Sequence, residues 1–254
     1  DVRGARRAGT SGVRTGEPIA ARLHGVPLTL SFQYDGATRE AAVEIAAGRF
    51  AFDAGWASLM PPVSAGAWRR LAPVGEASEA SFTFRRAAGE DAVRAEGRVV
   101  VPRLAVAPSG PALTLEEGTV EVTGALLRAG SWRVEGTCAF ARMRYGPLSL
   151  SVEAAPFSAD AEALRFGFPG ERHVHGRWGG GVWGGEFRLE NPPAAPARLG
   201  LDVAWYGVSL GRVLAVAGVE TEHDGAFKGE VSFTQPFGAD GDRAQPCGDC
   251  RRRA

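Results

Sequence analysis

Long apolar runs are missing from this sequence. No stretch of about 18 apolar residues occurs, so nothing in it is fit to cross a bilayer as a helix. Net charge is missing as well, since 29 basic and 29 acidic side chains cancel. Nucleic-acid binding calls for a clustered basic face, so no nucleic-acid partner is expected. Lysine is scarce and arginine carries nearly all the positive charge. There are only three cysteines. Cys138 lies in a strand pattern, GTCAFAR, and reads as a small buried hydrophobe. Cys247 and Cys250 form a C-x-x-C in the tail QPCGDCRRRA. One such pair is at most half a zinc site, and the βαβ context of a redox motif is absent. No secretory signal is visible. The chain opens at Asp1 rather than Met, which suggests a fragment or a processed chain.

What is abundant is glycine, 35 of 254 residues, against a usual share of roughly 7%. No fixed glycine period appears, so the excess points to turns and bulges. Residues 1–19 hold few large apolar side chains and read as a ragged or disordered start. Residues 238–254, rich in Gly, Asp and Arg, read as a disordered tail.

Between them, residues 20–237 alternate. Leu28, Leu30, Phe32 and Tyr34 share one face of a strand, and Asp35-Gly36 signals a hairpin. Val43 and Ile45 lie on the partner, then Phe50 and Phe52 follow a break at Gly48. Trp56, Leu59 and Met60 are spaced as a short helix that stops at Pro61-Pro62, and a second helical pattern runs from Ser64 through Trp68 to Leu71. Strands resume with Phe82 and Phe84, then Val99, Val101, Leu104 and Val106, where Pro102 implies an edge or a bulge. Val120 and Val122, Cys138 and Phe140, Leu148, Leu150 and Val152, and Phe166 and Phe168 continue the pattern. GRWGGGVWGGEFRLE reads as a hairpin bent at Gly179–Gly181, and NPPAAP at residues 191–196 is the clearest break, dividing sub-units 20–190 and 197–237.

The segment Arg198–Phe237 combines both periods. Leu199, Leu201, Val203 and Trp205 alternate, a short helix follows with Ser209 as N-cap and Gly218 as its stop, and Phe227, Val231 and Phe233 return as a strand. A strand pair with a short helical insert occurs loosely around 28–86 and again around 183–235. The fold class is therefore mainly β, a long antiparallel sheet with two or three short helices.

Such one-sided strands must bury their apolar face. Three short helices supply ~30 residues, or ~45 Å of helix. About a dozen strands at ~4.8 Å make a sheet roughly 55 Å wide. The helices cannot cover it. Either the sheet closes on itself as a sandwich or barrel, or it curls into an open, taco-like groove whose lining is covered by something else, such as lipid.

The unit LGLDVAWYGVSLGRVLAVAGVETEHDGAFKGEVSFTQPF resembles the AsmA-like C-terminal region, in which a strand enters a short helix and a G-x-[FL]-x-G-x-[VL]-x-[FL] strand returns. Here the return strand carries Gly225, Phe227, Gly229, Val231 and Phe233. Trp68–Phe84 is similar to the family's joint between such units. The resemblance covers 28–237 and implies kinship with AsmA, TamB and YhdP-like envelope proteins. It implies a periplasmic or cell-envelope location, inner-membrane anchoring in the full-length protein, phospholipid and membrane as partners, no cofactor and no enzymatic activity. Acyl chains would lie on Leu30, Phe32, Ile45, Phe50, Phe52, Phe82, Phe84, Leu148, Leu150, Phe166, Phe168, Leu201, Val203, Trp205, Phe227 and Phe233. The alternative is that these residues form the core of a closed structural or adhesive β domain without a ligand.

Catalytic signals are weak beside this. His173 and His175 share a strand face and, with Glu171 or with His223 and Asp224, could imaginably hold zinc, but a polar strand beside a glycine-rich turn explains them as well. No G-x-S-x-G elbow exists, and Glu116-Glu117 sits in a turn signal. GRWGGGVWGG lacks the βα unit of a phosphate loop. Trp178 and Trp183 flank a glycine bend as cross-strand neighbours or as an interfacial belt.

Overall fold

The computed structural model describes residues 6–8, 13–59, 68, 73–106, 113–128, 131–145, 148–167, 175–190, 198–216, 218–222 and 225–236. Outside them lie Phe168, His173, His223 and Asp224, the Asn191–Pro196 break, both tail cysteines, residues 238–254, and the second helical pattern apart from Trp68.

The chain is mainly β, as its alternation predicts. Among the described residues seventeen strands form one antiparallel sheet. They are β1 (Arg6–Ala8), β2 (Val13–Gly16), β3 (Ile19–Leu23), β4 (Val26–Asp35), β5 (Glu40–Ala47), β6 (Phe50–Phe52), β7 (Val74–Ala77), β8 (Glu79–Arg86) and β9 (Val93–Val106). Then come β10 (Leu113–Arg128), β11 (Ser131–Tyr145), β12 (Leu148–Asp160), β13 (Ala163–Gly167), β14 (Gly176–Trp178), β15 (Gly181–Glu190), β16 (Arg198–Ser209) and β17 (Ala226–Pro236). The ladders make it a meander. β1 pairs with β2, both β2 and β3 pair with β4, and β4 with β5. β5 pairs with β8, whose far side holds β9, while β6 and β7 continue the same two lines to reach the end of β9. From β9 to β12 each strand pairs with the next, β13 and β14 both lie against β15, and β16 and β17 follow. Among the described residues β1 and β3 end the sheet on one side and β17 on the other, so the sheet is open and does not close into a barrel.

Several expectations are refined. Residues 1–19, expected to be irregular, contribute β1, β2 and the start of β3. Their ladder needs only backbone groups, which Gly- and Arg-rich sequence supplies as well as any other. The Trp56 pattern forms a 3-10 turn, Ala54–Leu59, rather than an α-helix. Six residues ahead of Pro61-Pro62 are too few to nucleate one. Among the described residues one α-helix remains, α1 (Leu210–Val216). Its caps are those the residues imply. The Arg212 N–H donates to Ser209 Oγ at 3.4 Å. Gly218 adopts φ 76°, and the Val219 N–H reaches back to the Leu214 carbonyl at 2.8 Å. The hairpin over Gly179-Gly180 has both glycines at positive φ, as a two-residue turn between right-twisted strands requires. At Asp35-Gly36 the loop is longer, since β5 begins only at Glu40. Asp35 Oδ1 accepts the Ala37 and Thr38 N–H groups, which holds its carboxyl below the ordinary value.

Pro102 sits where alternation breaks. Val101 and Leu104, three residues apart, join one apolar cluster, while Pro102 and Arg103 are both exposed. Proline cannot donate a rung, so the lesion is placed where the ladder is already irregular. The buried centre is small. It comprises Val101, Cys138, Phe140, Val152, Ala155 and Trp183. Cys138 Sγ–H points at the Ala155 carbonyl at 3.4 Å, and burial pushes its thiol up to about 12. Only the thiolate reacts. Iodoacetamide at about pH 8 should therefore spare Cys138 in the folded protein and label it in urea, as read by peptide mass mapping. Fast labelling of the folded protein would contradict this burial.

Candidate functional site: an apolar strip across the strands

Cross-strand register joins side chains far apart in sequence into one row. Starting on β3, Ile19 pairs with Leu30, Leu30 with Ile45, Ile45 with Phe82 and Phe82 with Gly97. Gly97 pairs with Val122, Val122 with Gly136, Gly136 with Phe157 and Phe157 with Phe166. Phe166 pairs with Phe187, Phe187 with Leu201, and Leu201 with Phe233. Every position is apolar or glycine. Eleven strand spacings of ~4.8 Å make the row roughly 50 Å long.

Flanking rows are also apolar. On one side Phe32, Val43, Phe84 and Ala95 are in register, and Val134, Ala159 and Leu164 carry the row on. On the other, Phe52, Gly75, Leu104, Leu115, Met143 and Leu150 form a third. Phe50 opposes Ala77, and Leu148 opposes Tyr145. Val203 faces Gly185 and Val231, Trp205 faces Trp183 and Gly229, and Phe227 faces Val208. The expected lining residues thus converge on one face, apart from Phe168, which is not described. Of Phe233 the backbone register is the part described.

The row is only half covered. Ile19, Leu30, Ile45, Phe82, Val122, Phe157, Phe166, Phe187 and Leu201 are all partly exposed, none buried. Beside it Phe32 is 42% exposed and Tyr34 44%. The inner face of a closed sandwich would hide such residues. Helix α1 contributes no buried residue, so it does not fill the face either.

Glycines shape the strip. A Cβ on Gly97 would stand 2.3 Å from the Phe82 ring, on Gly118 2.1 Å from Phe140, on Gly136 2.8 Å from Phe157 and on Gly229 2.4 Å from Trp205. Each ring therefore occupies the space over the glycine across from it that a side chain would otherwise fill.

In a meander, alternate connections fall on opposite rims. The β3–β4, β6–β7, β14–β15 and β16–β17 connections share one rim, which thus carries the 3-10 turn and α1. Phe50, Phe52, Trp56 and Trp68 cluster there, with ring centroids 5.2–6.1 Å apart. Trp56 Nε1–H donates to the Ala51 carbonyl and Trp68 Nε1–H to that of Asp53. Trp178, Trp205 and Phe227 form a second cluster, at 5.7 and 6.0 Å.

The opposite face is polar and laced with exposed ion pairs, among them Arg85–Glu96 at 3.3 Å, Arg98–Glu121 at 3.9 Å, Arg142–Glu116 at 2.9 Å and Arg177–Glu153 at 2.8 Å. Each contributes about 0–1 kcal/mol; their main effect is to keep that face in water. A shallow hollow of about 890 Å³ there is lined by Arg85, Arg94, Glu96 and Glu135, and one of about 750 Å³ lies at β3–β5; neither follows the strip.

His175 is 1% exposed and packs edge-on against Trp183 at 5.8 Å. Among the described residues no group of three His, Cys, Asp or Glu side chains is placed to hold a metal. Comparison with protein-family models, with curated proteins and with solved structures gives no match.

Proposed function

We propose that this chain is a segment of a bridge-like lipid-transport protein of the bacterial envelope, holding phospholipid acyl chains on the apolar strip. The observation that carries this is the row from Ile19 to Phe233, unbroken by a polar side chain and with each of its described apolar side chains left partly exposed. The motif resemblance to the AsmA-like C-terminal region supports it.

The physics is simple. Each buried CH₂ is worth about 0.8 kcal/mol, so releasing an acyl chain of about 16 carbons into water costs on the order of 10 kcal/mol. Moving along a strip of constant character exchanges one apolar contact for another and costs little. Rings packed over glycines make up part of its floor. The polar headgroup would stay toward solvent. No bond is made or broken, so the segment needs neither cofactor nor catalytic group. Under this reading the protein works in the periplasm, tethered to the inner membrane by a part of the full-length chain or by partner proteins.

Native mass spectrometry on protein purified from bacterial membranes tests it. Phospholipid adducts are expected, together with uptake of fluorescent phospholipid from vesicles. An apo mass with no uptake would leave a structural or adhesive β domain as the better reading.

A further inference from the structure

We infer that β17 is an association edge at which two copies of this chain pair antiparallel, Lys228 of each opposite Glu230 of the other. The inference goes beyond lipid carriage and does not depend on it. Strand β17 has eleven residues and pairs, among the described residues, with β16 alone. Its other backbone edge is therefore a template for a further strand. The usual protections are sparse. No proline interrupts it before Pro236, and its register irregularity with β16 is confined to the Trp205–Val208 end. Ala226, Lys228, Glu230, Val231, Ser232 and Thr234 are all exposed, so among the described residues none covers these side chains.

Charge identifies the occupant. Across β8 to β14 several arginines pair with glutamates on neighbouring strands. Among the described residues no such pair reaches β17. Lys228, the one lysine of the sequence, and Glu230 form no ion pair among the described residues. A second β17 related by a two-fold axis through Gly229 supplies what both lack. Lys228 then faces Glu230 twice, and Phe227 faces Val231 twice, covering a valine that is 39% exposed. Centring the axis on Glu230 would oppose two glutamates, and centring it on Val231 would leave both charges without a partner. Pro236 falls outside the paired stretch. Because the axis is perpendicular to the sheet, both apolar faces stay on one side, and the two strips run end to end.

Sedimentation equilibrium of the full chain, with charge reversal, tests this. The wild type should show a monomer–dimer equilibrium. Lys228→Glu or Glu230→Lys alone should weaken it about tenfold, because each change turns two attractive pairs repulsive. The double variant Lys228→Glu/Glu230→Lys should restore it. Both side chains are exposed, so circular dichroism should be unchanged. In the wild type, hydrogen-exchange protection of the β17 amides should rise with concentration. A wild type that stays monomeric, a dimer indifferent to the single reversals, a double variant that fails to recover, or β17 exchange independent of concentration would each overturn the inference. Lipid binding by a strictly monomeric chain would overturn it while leaving the proposed function in place.

Discussion

With aspartate in place of Phe84 or Phe166, the chain should keep its sheet and lose its lipid. Both side chains are half-buried on the apolar face, Phe84 opposite Val43 and Ala95 and Phe166 opposite Phe157 and Phe187. A charge there retains access to water in the free protein, so the cost in stability is about 1–2 kcal/mol. In the loaded protein the same carboxylate is covered by hydrocarbon without a partner, which weakens binding on the order of a hundredfold. Vesicle uptake and urea unfolding, measured together on each variant, separate these effects. Global unfolding of both variants would mean that the face is closed in solution, and unaltered uptake would place the lipid elsewhere.

Gly136→Ala should be far more damaging than its size suggests, lowering stability by about 3 kcal/mol or more. The new methyl would stand 1.9 Å from the Glu121 carbonyl oxygen and 2.8 Å from the Phe157 ring. A ring can turn, but the carbonyl belongs to the β10–β11 ladder, so that ladder must open. Gly124→Ala, on the partner strand of the same hairpin opposite Glu135, is the control. Nothing lies within 4 Å of its Cβ, and a gain of up to about 1 kcal/mol is expected from the loss of glycine's freedom in the unfolded chain. Urea midpoints of the two variants should move in opposite directions. Equal midpoints would show that the glycine under Phe157 is not required by the close approach.

Much of this was legible in the residues, and what was not has a physical cause. Alternation identified the strands, and the shortage of helix identified the uncovered face, because both depend on local period alone. Phe157 escaped. Leu148, Leu150 and Val152 alternate on even positions, but β12 gains a residue opposite β11 between Val152 and Ala155, and the inward parity becomes odd. A bulge of this kind changes sides without changing composition. Gly97 and Gly136 escaped because glycine signals a turn in sequence, whereas here each is a floor position beneath a ring from the next strand. Phe187 was legible as a strand residue, but its place in the row depends on register with β13 and β16, which sequence spacing does not carry. The edge strands of residues 6–16 were hidden because backbone pairing leaves no apolar signature.

The meander order has a consequence for how this protein is made. Nearly every ladder joins neighbours in the chain, so loop closure is short at each step and no strand must wait for a distant partner. Synthesis runs from the N-terminus, and each emerging hairpin can zip onto the strand before it. At every intermediate length the growing sheet then exposes one unsatisfied edge that the next strand closes. Insertion or loss of a whole hairpin would change the length of the product without disturbing its cross-section, as in arrays whose units touch only their neighbours.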